Sequence, residues 1–152
     1  MPTHHQGPPA EARALDAYVK LMRAALSIQA PLERELEAAG LSENQFGTLE
    51  VLYHLGPLHQ TAIGEKLLTC GGNVTMVVDN LEKRALVRRE RGTEDRRRIT
   101  VHLTPAGRAL VARAFPPHAR RITAALGVLT ASEQKTLGAL CKKLGLGQKE
   151  PR

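Results

Sequence analysis

Apolar side chains recur every three or four residues from Glu11 to Ala39, at Leu15, Tyr18, Val19, Met22 and Leu26, the spacing of an amphipathic helix. Pro31 lies inside this stretch and is expected to kink or divide it before LERELEAAG stops at Gly40. A second helix opens at SENQ, where Ser42 and Gln45 form a capping-box pattern ahead of Phe46, Leu49, Leu52 and Tyr53. Gly56-Pro57 ends it. Two short helical stretches follow, Gln60 to Leu68 and Asn73 to Arg84, around the turn Thr69-Cys70-Gly71-Gly72. The period then changes to two. ITVHLT places Ile99, Val101 and Leu103 on one side, and with LVRRERG before it and the polar turn GTEDRR between, it predicts a β-hairpin. Thr104-Pro105, a cap residue before a proline at the first helical position, starts a helix that runs from Ala106 to about Leu129. Pro116-Pro117 predicts a kink or break within it. A second capping box, Thr130 with Glu133, opens a last helix to Leu146, with Leu137, Leu140, Cys141 and Leu144 as its seam. Cys141 is expected to pack there.

Two short helices around a glycine-containing turn form a helix-turn-helix pattern. In the second, Val74, Val77, Val78 and Leu81 share one face, while Asn73, Thr75, Met76, Asn80 and Lys83 lie largely on the other. That outer face is short and polar, as a helix that reads a major groove must be. It equally fits the wet side of an ordinary amphipathic helix. The hairpin is less neutral: from Arg88 to Arg98, six arginines and three acidic residues occupy eleven positions. A helix-turn-helix followed at once by a basic hairpin is a winged helix, whose tip can enter a narrow minor groove with an arginine. Asp95 would hold that arginine in one orientation, reducing the entropy lost on insertion. The alternative is a solvated turn that deters edge pairing. The expected fold is mainly α with a small β-hairpin wing, a winged helix-turn-helix flanked by helices.

Composition narrows the partners. Of 152 residues only 3% are aromatic and none is Trp, so the core must be aliphatic. The net charge of +7 points to an anionic partner, nucleic acid before a membrane surface. Two distant cysteines outside any C-x-x-C pair argue against a disulfide framework or a structural zinc site. His4, His5, His54, His59, His102 and His118 show no metal spacing, and neither metal nor cofactor is expected. No nucleophile motif, phosphate loop or paired carboxylates suggest an enzyme. The N-terminus has no apolar h-region and no segment approaches a membrane span, so a cytoplasmic protein is expected. Residues 1–10 and 147–152 read as mobile tails.

The run VVDNLEKRALVRRERGTEDRRRITVHLTPAG resembles the signature of the MarR family of bacterial transcriptional regulators. The matching positions are Asp79, Leu81-Glu82, Leu86-Val87, Asp95 and Arg97, and Leu103-Thr104 with Gly107. The helix order extends the resemblance over roughly Glu11 to Leu146. Ala85 departs from it, since the family usually has Gly at a left-handed turn there; so do Cys70-Gly71-Gly72 and Pro116-Pro117.

The resemblance implies a homodimer on double-stranded DNA, binding a near-palindromic operator as a regulator, a repressor first. Residues 11–40 and 105–146 would dimerise, and 41–104 would form the DNA-binding lobe. Gly72, Asn73, Thr75, Met76, Asn80 and Lys83 are the candidate recognition residues. At the wing, Arg97 would enter the minor groove with Asp95 as its holder, and Arg96 and Arg98 would touch phosphates. The family's effectors are phenolic or other small aromatic compounds, or oxidants. Tyr18, Met22, Arg23, Phe46 and Tyr53 are candidates for a ligand cleft, with core packing as the alternative, and Cys70 is the candidate redox residue. The competing reading is an architectural protein that binds DNA without reading its sequence.

Overall fold

The computed structural model describes residues 4–67 and 73–148, so Cys70 and Gly72 lie outside the described residues. In chain order its elements are α1 (Pro9–Ala38), α2 (Glu43–Leu55), β1 (Leu58–His59), α3 (Gln60–Lys66), α4 (Val74–Lys83), β2 (Val87–Arg91), β3 (Ile99–Leu103), α5 (Pro105–Leu126) and α6 (Ala131–Gly147). The fold is mainly helical with a small antiparallel sheet, as the periodicity predicts.

Local chemistry sets most boundaries. Gly40 closes α1 at φ +77°, with its N–H donating to Glu37 O and that of Leu41 donating to Leu36 O, a Schellman closure. Ser42 caps α2: its hydroxyl accepts from Gln45 N while the Gln45 side chain accepts from Ser42 N. Thr130 and Glu133 repeat the arrangement at α6.

Three expectations change. The division expected at Pro31 does not occur: α1 continues through it, with Leu36 buried in the core beyond. Pro116 and Pro117 likewise leave α5 unbroken, where Leu110, Val111, Ala114 and Phe115 pack on the core just before them. Packing of one face outweighs the backbone bonds each proline forfeits. The hairpin also gains a third strand. β1 pairs antiparallel with β3, Leu58 opposite Val101 and His59 opposite Thr100, giving the order β1-β3-β2.

The chain divides into two compact units, Met1–His118 and Ala119–Arg152. The core lies in the first: Phe46, Leu49 and Leu52 of α2, Ile63 of α3, Val78 and Leu81 of α4, and Val87, Val101 and Val111 are all nearly inaccessible. It holds α2, α3, α4 and the sheet as one lobe. In the second unit α6 buries no residue, and Cys141 is exposed beside Leu140 and Leu144 rather than packed as expected.

Candidate nucleic-acid interface

α4 is anchored by its apolar face, with Val78 and Leu81 fully buried and Val74 and Val77 half-buried. The pairing with α3 depends on Gly64, where a Cβ would stand 2.9 Å from Val74 Cγ2. The opposite face is open. Asn73, Thr75, Met76, Asn80 and Lys83 are all exposed, with Met76 at 57%. An exposed thioether among amides and a hydroxyl offers apolar contact and hydrogen bonding on one surface, the mixture that base edges require.

The wing is built by backbone bonds across its tip. Gly92 N donates to Arg98 O at 2.8 Å and Arg98 N to Asp95 O at 3.1 Å. Gly92 is required there, since a Cβ would stand 2.5 Å from the Asp95 carbonyl oxygen. Asp95 Oδ1 accepts from Arg97 N at 3.0 Å, an Asx turn, and lies 3.5 Å from Arg97 Nε. The structure thus brings Asp95 and Arg97 together, and the Arg97 side chain is 95% exposed. Arg96 and Arg98 are exposed beside it.

Arg89 is the residue that sequence reasoning missed. Among the arginines of the cluster it looks no different, yet its side chain is only 19% exposed. Its guanidinium pairs with Asp79 and Glu82, donates to Gln60 Oε1 at 3.1 Å and donates to Thr75 O at 3.1 Å. The Gln60 Nε2 in turn donates to Thr75 Oγ1 at 3.0 Å. One arginine therefore ties β2 to the start of α3 and to α4. The available signal was the period of two, which puts Arg89 on the same side of β2 as buried Val87.

The link between α4 and the sheet is a second Schellman closure, with Ala85 N donating to Glu82 O and Leu86 N to Leu81 O. Ala85 stands at φ +57°, the left-handed conformation that the family pattern reserves for glycine. Arg84, the C-cap of α4, donates from Nη1 to Gly40 O at 2.7 Å, joining the end of α4 to the end of α1. Thr104 Oγ1 donates to Ala85 O and accepts from Gly107 N, fixing the start of α5 against the same turn.

The residues considered for a ligand cleft do not converge. Phe46 is core, Tyr18 and Met22 are exposed on α1, Arg23 is exposed too, and Tyr53 is half-buried beneath the Arg108 guanidinium, 5.6 Å from its ring centroid. A cavity of about 310 Å³ lies instead between the end of α1 and α5, lined by Leu36, Ala39, Leu110, Arg113, Pro117 and His118. The His118 ring lies 4.5 Å from that of Phe46, and its buried Nδ1 has no hydrogen-bond partner among the described residues. Among the described residues no cluster of His, Cys, Asp or Glu could hold a metal ion, and no helix is long and apolar enough to cross a membrane.

Comparison with known proteins agrees with this geometry. The family model described as MarR family matches residues 41–99, the span from just before α2 to the start of β3. YkoM of Bacillus subtilis strain 168, an uncharacterised HTH-type transcriptional regulator, is 37% identical over 134 residues, 88% of this chain and 87% of its own. Sco3205 of Streptomyces coelicolor, a MarR family transcriptional regulator solved in complex with DNA, matches with a TM-score of 0.84 and 25% identity over 97% of this chain and 93% of its own. BpsR of Bordetella bronchiseptica, whose DNA binding is regulated by 6-hydroxynicotinic acid, matches with a TM-score of 0.75 and 26% identity over 85% of this chain and 98% of its own.

Proposed function

The chain belongs to the MarR family of DNA-binding transcriptional regulators, and on that premise we propose that it is a repressor that reads a near-palindromic operator as a homodimer. The observation that carries the reading is the pairing of an exposed, polar α4 face with an arginine held out by its own aspartate at the wing tip. Asn73, Thr75, Met76, Asn80 and Lys83 meet the major groove. Arg97, steadied by Asp95, enters the minor groove, and Arg96 and Arg98 take phosphates. The partner of such a protein is double-stranded DNA, and its place of work is the cytoplasm.

The exposed apolar faces support the dimer. Leu15, Tyr18, Met22 and Leu26 on α1, and Leu137, Leu140 and Leu144 on α6, are exposed large apolar side chains. A second copy covers them, so 11–40 and 105–146 are the dimerisation regions and 41–104 the DNA-binding lobe. Release follows effector binding in the cavity between α1 and α5, where Arg113 and His118 suit the carboxylate or hydroxyl of a small aromatic compound.

Binding to the DNA upstream of its own gene, against a scrambled duplex across a salt series, tests the reading. Preference for the native fragment with a protected near-palindrome is the expected result. Equal binding to both duplexes with a steep salt dependence would identify an architectural DNA-binding protein instead, a role to which the +7 charge is suited.

A further inference from the structure

Hydrogen-bond polarity runs in one direction through Arg89, Gln60 and Thr75. A guanidinium carries only donors, so the 3.1 Å contact from Arg89 Nε must meet the oxygen end of the Gln60 amide. The other end of that amide then has no choice but to donate, and it reaches Thr75 Oγ1 at 3.0 Å. The origin of this relay is fixed, because Asp79, Glu82 and the Thr75 carbonyl all hold Arg89 in place. Thr75 therefore receives a hydrogen bond from inside the protein, which occupies one of its two lone pairs, and its own O–H proton is left to point elsewhere. A threonine within a helix usually turns that proton to the carbonyl four residues earlier. Thr75 is only the second residue of α4, so the carbonyl four residues earlier lies ahead of the helix and outside the described residues.

We infer that Arg89, acting through Gln60, sets the Thr75 hydroxyl as a donor toward the major groove. This position would then select a base edge that presents an acceptor, such as guanine O6 or N7 or thymine O4, over the amino group of cytosine. Thr75 makes the contact; Arg89 and Gln60 are positioning residues, and Arg89 takes no phosphate despite its place in the basic cluster. The inference rests on the reading of α4 as the groove-facing helix.

Selection of bound duplexes from a randomised pool, with wild type, Thr75→Ser, Thr75→Val and Gln60→Glu, tests it. Gln60→Glu still offers Arg89 an acceptor but faces Thr75 with a second one. The hydroxyl then donates inward and presents lone pairs outward. Wild type and Thr75→Ser should select an acceptor-bearing base at one position of each half-site. Thr75→Val should flatten that preference by roughly tenfold, the worth of about one hydrogen bond. Gln60→Glu should move it toward the amino group of cytosine or adenine while the other positions stay as they were. A merely structural role for Gln60 would weaken all sites alike and change no single base. The same base selected by wild type, Thr75→Val and Gln60→Glu overturns the inference. If Gln60→Glu does not fold, Gln60→Ala takes its place: a preference lost at that one position with Thr75 intact supports the relay, and an unchanged preference overturns it. A wild type that selects no site at all would instead sink the reading of α4, and the relay with it.

Discussion

Ala85 is held at φ +57° by the two hydrogen bonds that close α4 onto β2. An L-residue in that conformation crowds its Cβ against the following carbonyl, a cost of about 1–2 kcal/mol that glycine avoids, partly offset by glycine's greater freedom when unfolded. Ala85→Gly should therefore stabilise the folded protein by roughly 0.5–1 kcal/mol, read as a raised denaturant midpoint with an unchanged slope. A fall in the midpoint would show that the turn relaxes in solution to a conformation alanine accepts. Arg97 belongs to the same scale. Its side chain is 95% exposed and pairs with its own aspartate, so Arg97→Ala should leave folding intact while weakening operator binding by roughly tenfold or more. Unchanged affinity in a gel-shift titration would remove the wing tip from DNA recognition.

Caps connect such residues into elements. Thr104 both donates to the Ala85 carbonyl and accepts from Gly107 N, so it begins α5 and braces the turn after α4. Thr104→Ala should cost about 1–2 kcal/mol, measured by urea unfolding; a loss near zero would mean that water replaces both bonds. Gly107 cannot be altered alongside it, because a Cβ there would run into the Leu86 carbonyl. These elements were legible in the chain because their signals are local. Ser42 with Gln45, Thr130 with Glu133, and the alternation of ITVHLT each act within a few residues. β1 was not legible, since two residues carry no period and Leu58–His59 becomes a strand only by pairing with Thr100 and Val101, some forty positions later. The prolines misled for the same reason. Their penalty is local, while the packing of Leu36, Leu110 and Phe115 that outweighs it comes from other helices. At the site, the exposed face of α4 and the pairing of Asp95 with Arg97 could be read ahead. The role of Arg89 could not, because charge alone does not separate a buried tether from a free cation.

For the whole molecule, charge and exposed apolar surface act on different partners. The exposed leucines of α6 should hold two copies together, so Leu140→Glu should give a monomer by sedimentation that retains its helix content and loses operator affinity. A dimer that survives the change would place the contact elsewhere. Lys83, Arg96 and Arg98 should each contribute about one unit to the salt slope of DNA binding, and Arg89 should not. The carboxylate of Glu82 has a consequence for the protein in concentrated solution. It accepts the Arg89 backbone N–H at 2.9 Å, on a strand that stands at the edge of the sheet. A free edge invites an extended segment from another molecule to add itself, and repeated addition is how fibres grow. With one donor already occupied, and with Arg88 and Arg91 outnumbering Glu90 along the strand, two such edges meeting lose a hydrogen bond and carry like charge. The same side chain that helps hold α4 against the sheet thereby helps keep the protein from polymerising through it.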